Sequence, residues 1–531
     1  MRRSRPQRPL PPPQSPRANP DRPELVLGNT RLHVRRFELD GKCVADQDRG
    51  GPQVYLNYAA AGDIVQAELR RGPSNAIYGD ITSVIHRGDG RSQETPCPLY
   101  FKPGMRSWCG GCDMQHLLYE KQLAAKQEAL ASLFRATRLL GKVPVEKIIR
   151  SPKILRYRNK VQVPFGMSRG SIVAGFFRPS SHEIVDFADC PVQDKLSVDI
   201  IQAIKKIASR ERWSIYSEEA RLGWLRHVFI RTTVEGKALL AFIGRGEPRF
   251  NMERIVRELT SKFPQIASVY LNIQDRDTNV IMGPKWIKLA GEGALEETIG
   301  SNRFLFYPGS FLQVNTPAAE LLYRTAADFL SLGERTSELY DLYCGVGTIG
   351  ISVGRGFRFV TGIEENQGAV ACAWKNAERN GAKNMRFIAG HAETVFSDKM
   401  AESLRKTISV IVDPPRQGCA ASLLKRFHHP NVRKIVYISC NPITFVRDAE
   451  ILCDNGFDLK KVQPLDLFPQ TSHIELVSYF ERKPEKAETA APRRERREER
   501  KRVPDEKPRR TFARRPAARG ASVNNKKSKY F

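Results

Sequence analysis

From about Phe304 to Arg482 the chain alternates apolar runs with helix-like stretches, and each apolar run ends abruptly in a short turn of its own kind. SELYDLYCGVGTIGISVG reads as a strand, a glycine-rich turn and the start of a helix. RFVTGIEEN, MRFIAGHA, SVIVDPPRQG and KIVYISCNP are further strands, and HIELVSYFER is the last, expected at an edge. Parallel strands cannot be joined by tight turns, so this alternation demands a doubly wound α/β sheet with helices on its faces. In such sheets ligands lie beyond the carboxyl ends of the strands. The turns that end the runs are therefore where chemistry is to be sought.

The upstream sequence has a different rhythm. Between about Glu24 and Arg87, RLHVRRFEL, DGKCVA, QVYLNYA, AGDIVQAELRR and NAIYGDITSVI are short β-like runs separated by glycine-rich turns, which predicts a small antiparallel barrel of the oligonucleotide-binding kind. MQHLLYEKQLAAKQEALASLFRAT reads as a helix, and the runs KVQVPFGM, SIVAGFF, HVFIRTTV, ALLAFIG and SVYLNI with two helical stretches predict a central α+β domain. The expected organisation is a tail over 1–23, a barrel over 24–88, a central domain over 89–300, an α/β domain over 301–482 and a second tail over 483–531.

The formal charge of +28 points to a polyanionic partner, and nucleic acid is favoured over a merely solvated surface. Part of that charge sits in the last segment, Lys483 to Phe531, where 18 Lys and Arg stand against 7 Asp and Glu with few large apolar residues, so disorder is expected there. The Pro- and Arg-rich start lacks the apolar core of a secretion signal, and no stretch approaches the ~20 apolar residues of a membrane helix. A soluble cytoplasmic protein is the expectation.

Four of the ten cysteines form a pattern: Cys97, Cys109 and Cys112 within CPLYFKPGMRSWCGGC, and Cys190 in DFADCPVQ. In a large cytosolic chain such clustering argues for metal over disulfides. Four thiolates suit Zn²⁺ or an iron–sulfur cluster equally by ligand number. The uneven intervals of 11, 2 and 77 residues are unlike a zinc ribbon and shift the reading toward a cluster.

The glycines Gly345, Gly347 and Gly350 form a GxGxxG with Glu364 close to 20 residues on, a pattern shared by nicotinamide- and S-adenosylmethionine-binding folds. Two further turns break the tie. Asp413-Pro414-Pro415-Arg416 halts a strand so that its terminal carboxylate faces the cleft, a rigid edge suited to a planar base. Cys440, in Ser439-Cys440-Asn441-Pro442, is a thiol presented at a strand end. Carbon 5 of a uracil is too weak a nucleophile to take a methyl group from a sulfonium unless a thiolate first adds to carbon 6. A base must then remove the carbon 5 proton so that the thiol can leave. Cys440 can be that nucleophile and Glu475, in TSHIELVSYF, that base. An inert buried Cys440 and a surface Glu475 are the bland alternative.

Taken together, DLYCGVGTIG, IVDPPRQG, YISCNPITFVRD and FPQTSHIELVSYFER resemble the successive motifs of the RNA uracil-5-methyltransferase family, S-adenosylmethionine-dependent enzymes that make 5-methyluridine. SFLQVNTPAAELLY resembles the family's motif before the catalytic sheet, CGGCDMQHLLYEKQL its cluster-binding segment, and the barrel a TRAM domain; the likeness spans roughly Glu24 to Arg482. It implies a Rossmann-like catalytic domain with Cys440 as nucleophile and Glu475 as general base. It places Gln313, Tyr343, Glu364 and Asp413 in the S-adenosylmethionine site, with Asp413 shared with the target base, and the glycine turn adds Gly345. It also implies a [4Fe–4S] cluster on Cys97, Cys109, Cys112 and Cys190 that supports folding and RNA binding. Two departures stand out. The interval between Cys97 and Cys109 is longer than the family's, and Thr348 and His391 stand where Asn commonly contacts the cofactor.

A uracil in folded RNA must leave its stack to reach Cys440, so the barrel and the segment Arg156 to Lys160, RYRNK, are expected to grip a remodelled single-stranded loop. Barrel and four cysteines together resemble the branch acting on 23S rRNA, with no membrane and no obligate protein partner implied. The rival readings are the same chemistry on tRNA, a nucleotide-dependent oxidoreductase with a metal cluster, and a non-catalytic RNA-binding or assembly factor.

Overall fold

The computed structural model describes residues 26–48, 50–72, 75–396 and 406–484. The two tails expected over 1–23 and 483–531 lie outside them, apart from Lys483 and Pro484. Five strands, β1 (Val26–Phe37), β2 (Cys43–Gln47), β3 (Val54–Leu56), β4 (Ile64–Arg71) and β5 (Ile77–His86), close into a barrel in the order β1-β2-β3-β5-β4. Residues along β4 alternate between inside and outside, so Val65, Ala67 and Leu69 meet Leu32, Val34, Val54 and Leu56 in the barrel core. The cysteine-bearing segment follows, then helix α1 (Tyr119–Arg135), which begins at Tyr119 rather than at Met114.

The central domain is built from β6 (Lys160–Ser168), β7 (Ser171–Phe177), β8 (Ile184–Asp186), α2 (Lys195–Arg210), β9 (Leu225–Thr232), β10 (Ala238–Gly244), α3 (Met252–Lys262), β11 (Ile266–Ile273) and β12 (Lys285–Gly291). The strands form one sheet in the order β12-β11-β10-β9-β6-β7-β8. Its helices start on side-chain caps, Asp194 accepting from the Leu196 N–H and Asn251 from the Arg254 N–H. A hairpin, β13 (Leu295–Ile299) and β14 (Asn302–Phe306), comes next, and the boundary expected between residues 300 and 301 falls at its turn. One continuous core packs Phe229 and Leu239 of the central sheet with Phe304 of the hairpin and Val346 and Ile349 of the α/β domain.

The last domain comprises α4 (Thr316–Ser331), β15 (Glu338–Leu342), α5 (Thr348–Val353), β16 (Phe359–Glu364), α6 (Gln367–Arg379), β17 (Met385–Ala389), β18 (Ile408–Val412), α7 (Ala421–Arg426), β19 (Val432–Ser439), α8 (Pro442–Asp454), β20 (Phe457–Leu465) and β21 (Glu475–Arg482). The sheet order is β17-β16-β15-β18-β19-β21-β20, with β21 antiparallel to both neighbours. This corrects one expectation. HIELVSYFER is an interior strand, buried without alternation from Glu475 to Phe480, and the last strand of the sheet is β20, with Lys460 and Lys461 exposed and its far half bridged by Val145 and Ile149. Among the described residues no helix is long and apolar enough to cross a membrane.

Candidate active site

The reversal of β21 builds the site. Because β21 runs against β19 with Ser439 opposite Leu476, the next step along the ladder brings Cys440, just past the end of β19, across from Glu475, the first residue of β21. Asp413 follows the last residue of the neighbouring parallel strand β18. Three groups far apart in sequence thus meet at one edge of the sheet. They line a cavity of about 990 Å³ that also takes in Gln313, Tyr343, Gly345 and Glu364, so all seven residues expected at the catalytic and cofactor sites share it.

Local chemistry fixes each turn. Asn441 caps α8 through the Ile443 N–H (3.1 Å), while its Nδ2 and the Thr444 hydroxyl both donate to the Arg416 carbonyl (3.0 and 3.1 Å). The helix behind the thiol therefore holds the Asp-Pro-Pro-Arg turn. Buried Asp448 accepts from the Cys419 N–H (2.8 Å) and the Tyr437 hydroxyl (2.6 Å), which fastens the next stretch. Gly418 has φ +78, and a Cβ there would stand 2.5 Å from Asp448 Oδ2, so only glycine fits.

On the opposite wall the glycine turn is strained. Tyr343 is a non-glycine residue at φ +65, Gly345 and Gly347 follow at +56 and +83, and the turn opens α5. Glu364, at the end of β16, ties this turn by accepting from the Gly345 N–H (3.1 Å) and its own side by accepting from the Asn366 N–H (2.9 Å). An acid at the end of the second strand beside a glycine turn is the arrangement that receives ribose hydroxyls in nucleotide-binding sheets. His391 lies at the rim, paired with Glu365 at 3.3 Å. Thr348 is not among the lining residues; it is buried and accepts from the Tyr323 hydroxyl (3.1 Å).

The electrostatics of the pocket favour protonated acids. Burial pushes the Asp413 carboxyl up to about 7. Burial, and then the charge of Asp413, hold Glu475 well above the usual carboxylate range. The Cys440 thiol is raised to about 11 by burial and by Glu475 and Asp413. Arg416 opposes both shifts, favouring the thiolate and the carboxylate. Its guanidinium lies 3.1 Å from His473 Nε2, and burial holds that imidazole down at about 4, so it is neutral and can accept from Arg416. Arg416 was visible in the motif without a role, and His473 could have been found from its place two residues before Glu475. Arg231 carried no signal. Fully buried on β9, it donates to the Leu312 and Gln313 carbonyls (3.1 and 2.9 Å) and so sets Gln313 in the pocket wall from the central sheet.

Cys97, Cys109, Cys112 and Cys190 converge on a second cavity of about 480 Å³. Phe311, Gln313 and Phe468 line both cavities. Burial raises all four thiols, Cys109 to about 11, and Cys190 adds to the shift of each of the other three. Cys97, despite its long interval, is part of the set. Among the described residues no group of three or more His, Cys, Asp or Glu is arranged to hold a metal ion. The donor set nevertheless suits a soft metal centre: four thiols line the cavity and no carboxylate or imidazole does.

Residues 118–483 match the family described as tRNA (uracil-5-)-methyltransferase. An RNA methyltransferase of Halalkalibacterium halodurans is 34% identical over 446 residues, covering 84% of this chain and 95% of that protein. One of Gloeobacter violaceus is 35% identical over 81% of this chain and 92% of its own length. Among solved structures, the Pyrococcus abyssi tRNA (uracil-54, C5)-methyltransferase in complex with S-adenosyl-L-homocysteine is similar at 27% identity and a TM-score of 0.66, over 85% of this chain and 99% of that one.

Proposed function

The chain belongs to the tRNA (uracil-5-)-methyltransferase family and is an S-adenosylmethionine-dependent RNA methyltransferase, and from that premise we propose that it methylates carbon 5 of a specific uridine in 23S rRNA. The observation that carries the chemistry is the placement of Cys440 across the strand ladder from Glu475, with Asp413 beside them in one cavity.

As the thiolate, Cys440 Sγ adds to carbon 6 of the uracil, and the electrons of the 5,6 double bond move toward O4. Asp413, raised to about 7, is available in its protonated form to donate a hydrogen bond where that negative charge collects. Arg416 lowers the cost of the thiolate. S-adenosylmethionine, when bound by Gln313, Tyr343, Gly345, Glu364 and Asp413, supplies the methyl group. Glu475 then removes the proton from carbon 5, the double bond re-forms, and the Cys440 thiolate leaves. A site walled by the apolar faces of Phe311 and Phe468 favours the splayed base over water.

The four thiols are assigned to a [4Fe–4S] cluster with a structural role, supported by the all-sulfur donor set in one cavity. The rRNA target rests on the likeness of barrel and cysteines to that branch. Likeness to the P. abyssi enzyme over 99% of its length favours tRNA as a second reading, since domain content alone does not separate the two. Methyl transfer from labelled S-adenosylmethionine by anaerobically purified protein onto unmodified 23S rRNA, 16S rRNA and tRNA, with the nucleoside identified by mass spectrometry, decides. 5-Methyluridine in 23S rRNA alone supports the first reading, label in tRNA alone replaces it with the second, and no label with RNA still bound rejects both.

A further inference from the structure

Glu475 is reached through a loop that belongs, by its hydrogen bonds, to another part of the molecule. Between β20 and β21 the chain runs from Asp466 to Ile474, and its middle is held by the cysteine-bearing segment and α1. The Gln470 carbonyl accepts from the Asp113 and Met114 N–H groups (3.2 and 3.0 Å), and the Gln470 N–H donates to Gln122 Oε1 (2.9 Å). Gln122 Nε2 in turn donates to Gln470 Oε1 (3.0 Å). Ser472 donates twice to the carboxylate of Asp113, from its N–H to Oδ1 (2.7 Å) and from its hydroxyl to Oδ2 (2.6 Å). Gln470 itself has φ +72, a conformation that a non-glycine residue keeps only where its surroundings over-determine it. The barrel closes over the same point. Gly41, in the β1–β2 turn at φ +87, approaches so closely that a Cβ would stand 2.8 Å from Asp113 Oδ2 and 3.0 Å from Ser472 Oγ.

We propose that Asp113, next to Cys112 on the thiol-bearing loop, is a positioning residue for the general base. By fixing Ser472 at both its N–H and its hydroxyl, it sets where β21 begins and hence where the Glu475 carboxyl stands over Cys440. This rests on the assignment of Glu475 as base. A misplaced base delays one step only, removal of the carbon 5 proton. The methylated uracil then stays bonded to Cys440, and a denaturant-stable protein–RNA adduct accumulates.

The experiment compares wild-type holoprotein with Glu475→Gln, Asp113→Ala, Asp113→Asn and Ser472→Ala, reading turnover, the fraction of RNA in adduct on a denaturing gel, and S-adenosylmethionine affinity. Asp113→Ala is expected to slow turnover on the order of 100-fold, the cost of a small misplacement, with adduct accumulating and cofactor affinity unchanged. Asp113→Asn keeps an acceptor for the Ser472 N–H and a donor for its hydroxyl, so it is expected to restore turnover. Ser472→Ala changes no residue of the thiol segment, removes only the hydroxyl contact with Asp113, and is expected to show the adduct at a smaller loss of rate. If Glu475→Gln traps no adduct, the base assignment falls and this inference with it. If Glu475→Gln traps adduct while Asp113→Ala and Ser472→Ala do not, the base stands and the positioning role is rejected.

Discussion

The two cavities share Phe311, Gln313 and Phe468 as a common wall, yet they are assembled in opposite ways. The catalytic cavity is a product of sheet topology: Asp413, Cys440 and Glu475 each sit within one residue of a strand end, and the ladder delivers them to the same edge. The thiol cavity takes its sulfurs from loops, and its walls come from the central sheet and from the loop before Glu475. A strand-end site is carried by rigid neighbours; a loop site has to be held by polar contacts, and here those contacts reach across to the loop that leads into Glu475.

The strongest separation of the two regions comes from removing one sulfur from each. Cys440→Ala is expected to cut methyl transfer by at least about 1,000-fold while iron content and RNA affinity stay at wild-type levels. If the four thiols hold the proposed cluster, Cys112→Ser is expected to lose iron and RNA affinity while S-adenosylmethionine affinity holds. Equal loss of iron in both would erase the distinction. Next in size is the buried ion pair between them, Lys126 Nζ to Asp466 Oδ1 at 2.7 Å, with both side chains fully inaccessible. Lys126→Met leaves a buried carboxylate without its partner and is expected to lower the stability by about 3–5 kcal/mol in denaturant unfolding, much of it recovered by adding Asp466→Leu.

A subtler probe acts on the catalytic side alone. In the proposed mechanism Cys440 and Glu475, both with raised pKa values, work as anions, so the single-turnover rate is expected to climb from acid towards neutral pH, with loss of the Asp413 proton, held at about 7, opposing the rise beyond it. Arg416 lowers both, so Arg416→Met is expected to move the rise to higher pH, and an unmoved profile would remove Arg416 from the account. The smallest effect concerns stability. A buried carboxyl with a raised pKa keeps its proton in the folded state while the unfolded chain loses it. Folding stability is therefore complete below the ordinary Glu range and drains away as pH rises. Glu475→Gln should melt with the wild type near pH 4 and above it near pH 8.

The same contrast explains what could be read from the sequence. The turns GVGTIG, EEN, DPPR and SCNP each occupy a few consecutive residues after an apolar run, and the structure puts their functional side chains in one cavity. Strand β20 escaped because FDLKKVQPL carries charges and a proline, which look like loop until a partner strand is known. The hairpin of β13 and β14 escaped because its inside and outside positions alternate without matching residue polarity: Glu297 and Asn302 are buried while Leu305 is only half-buried, so LEETI and NRFLF show no apolar alternation. Arg231, Gln122 and Asp113 could not be assigned at all: each acts on main-chain groups distant in sequence, and a single chain records no trace of such pairings.

The close approach of Gly41 bears on how freely the parts of this protein can be exchanged. A barrel appended for RNA affinity alone could be swapped for another of equal affinity. This one presses an unsubstituted backbone against Asp113 and Ser472, so a transplanted barrel with a side chain at the Gly41 position collides with the contacts that lead into Glu475. Domain shuffling would have to carry that one glycine along.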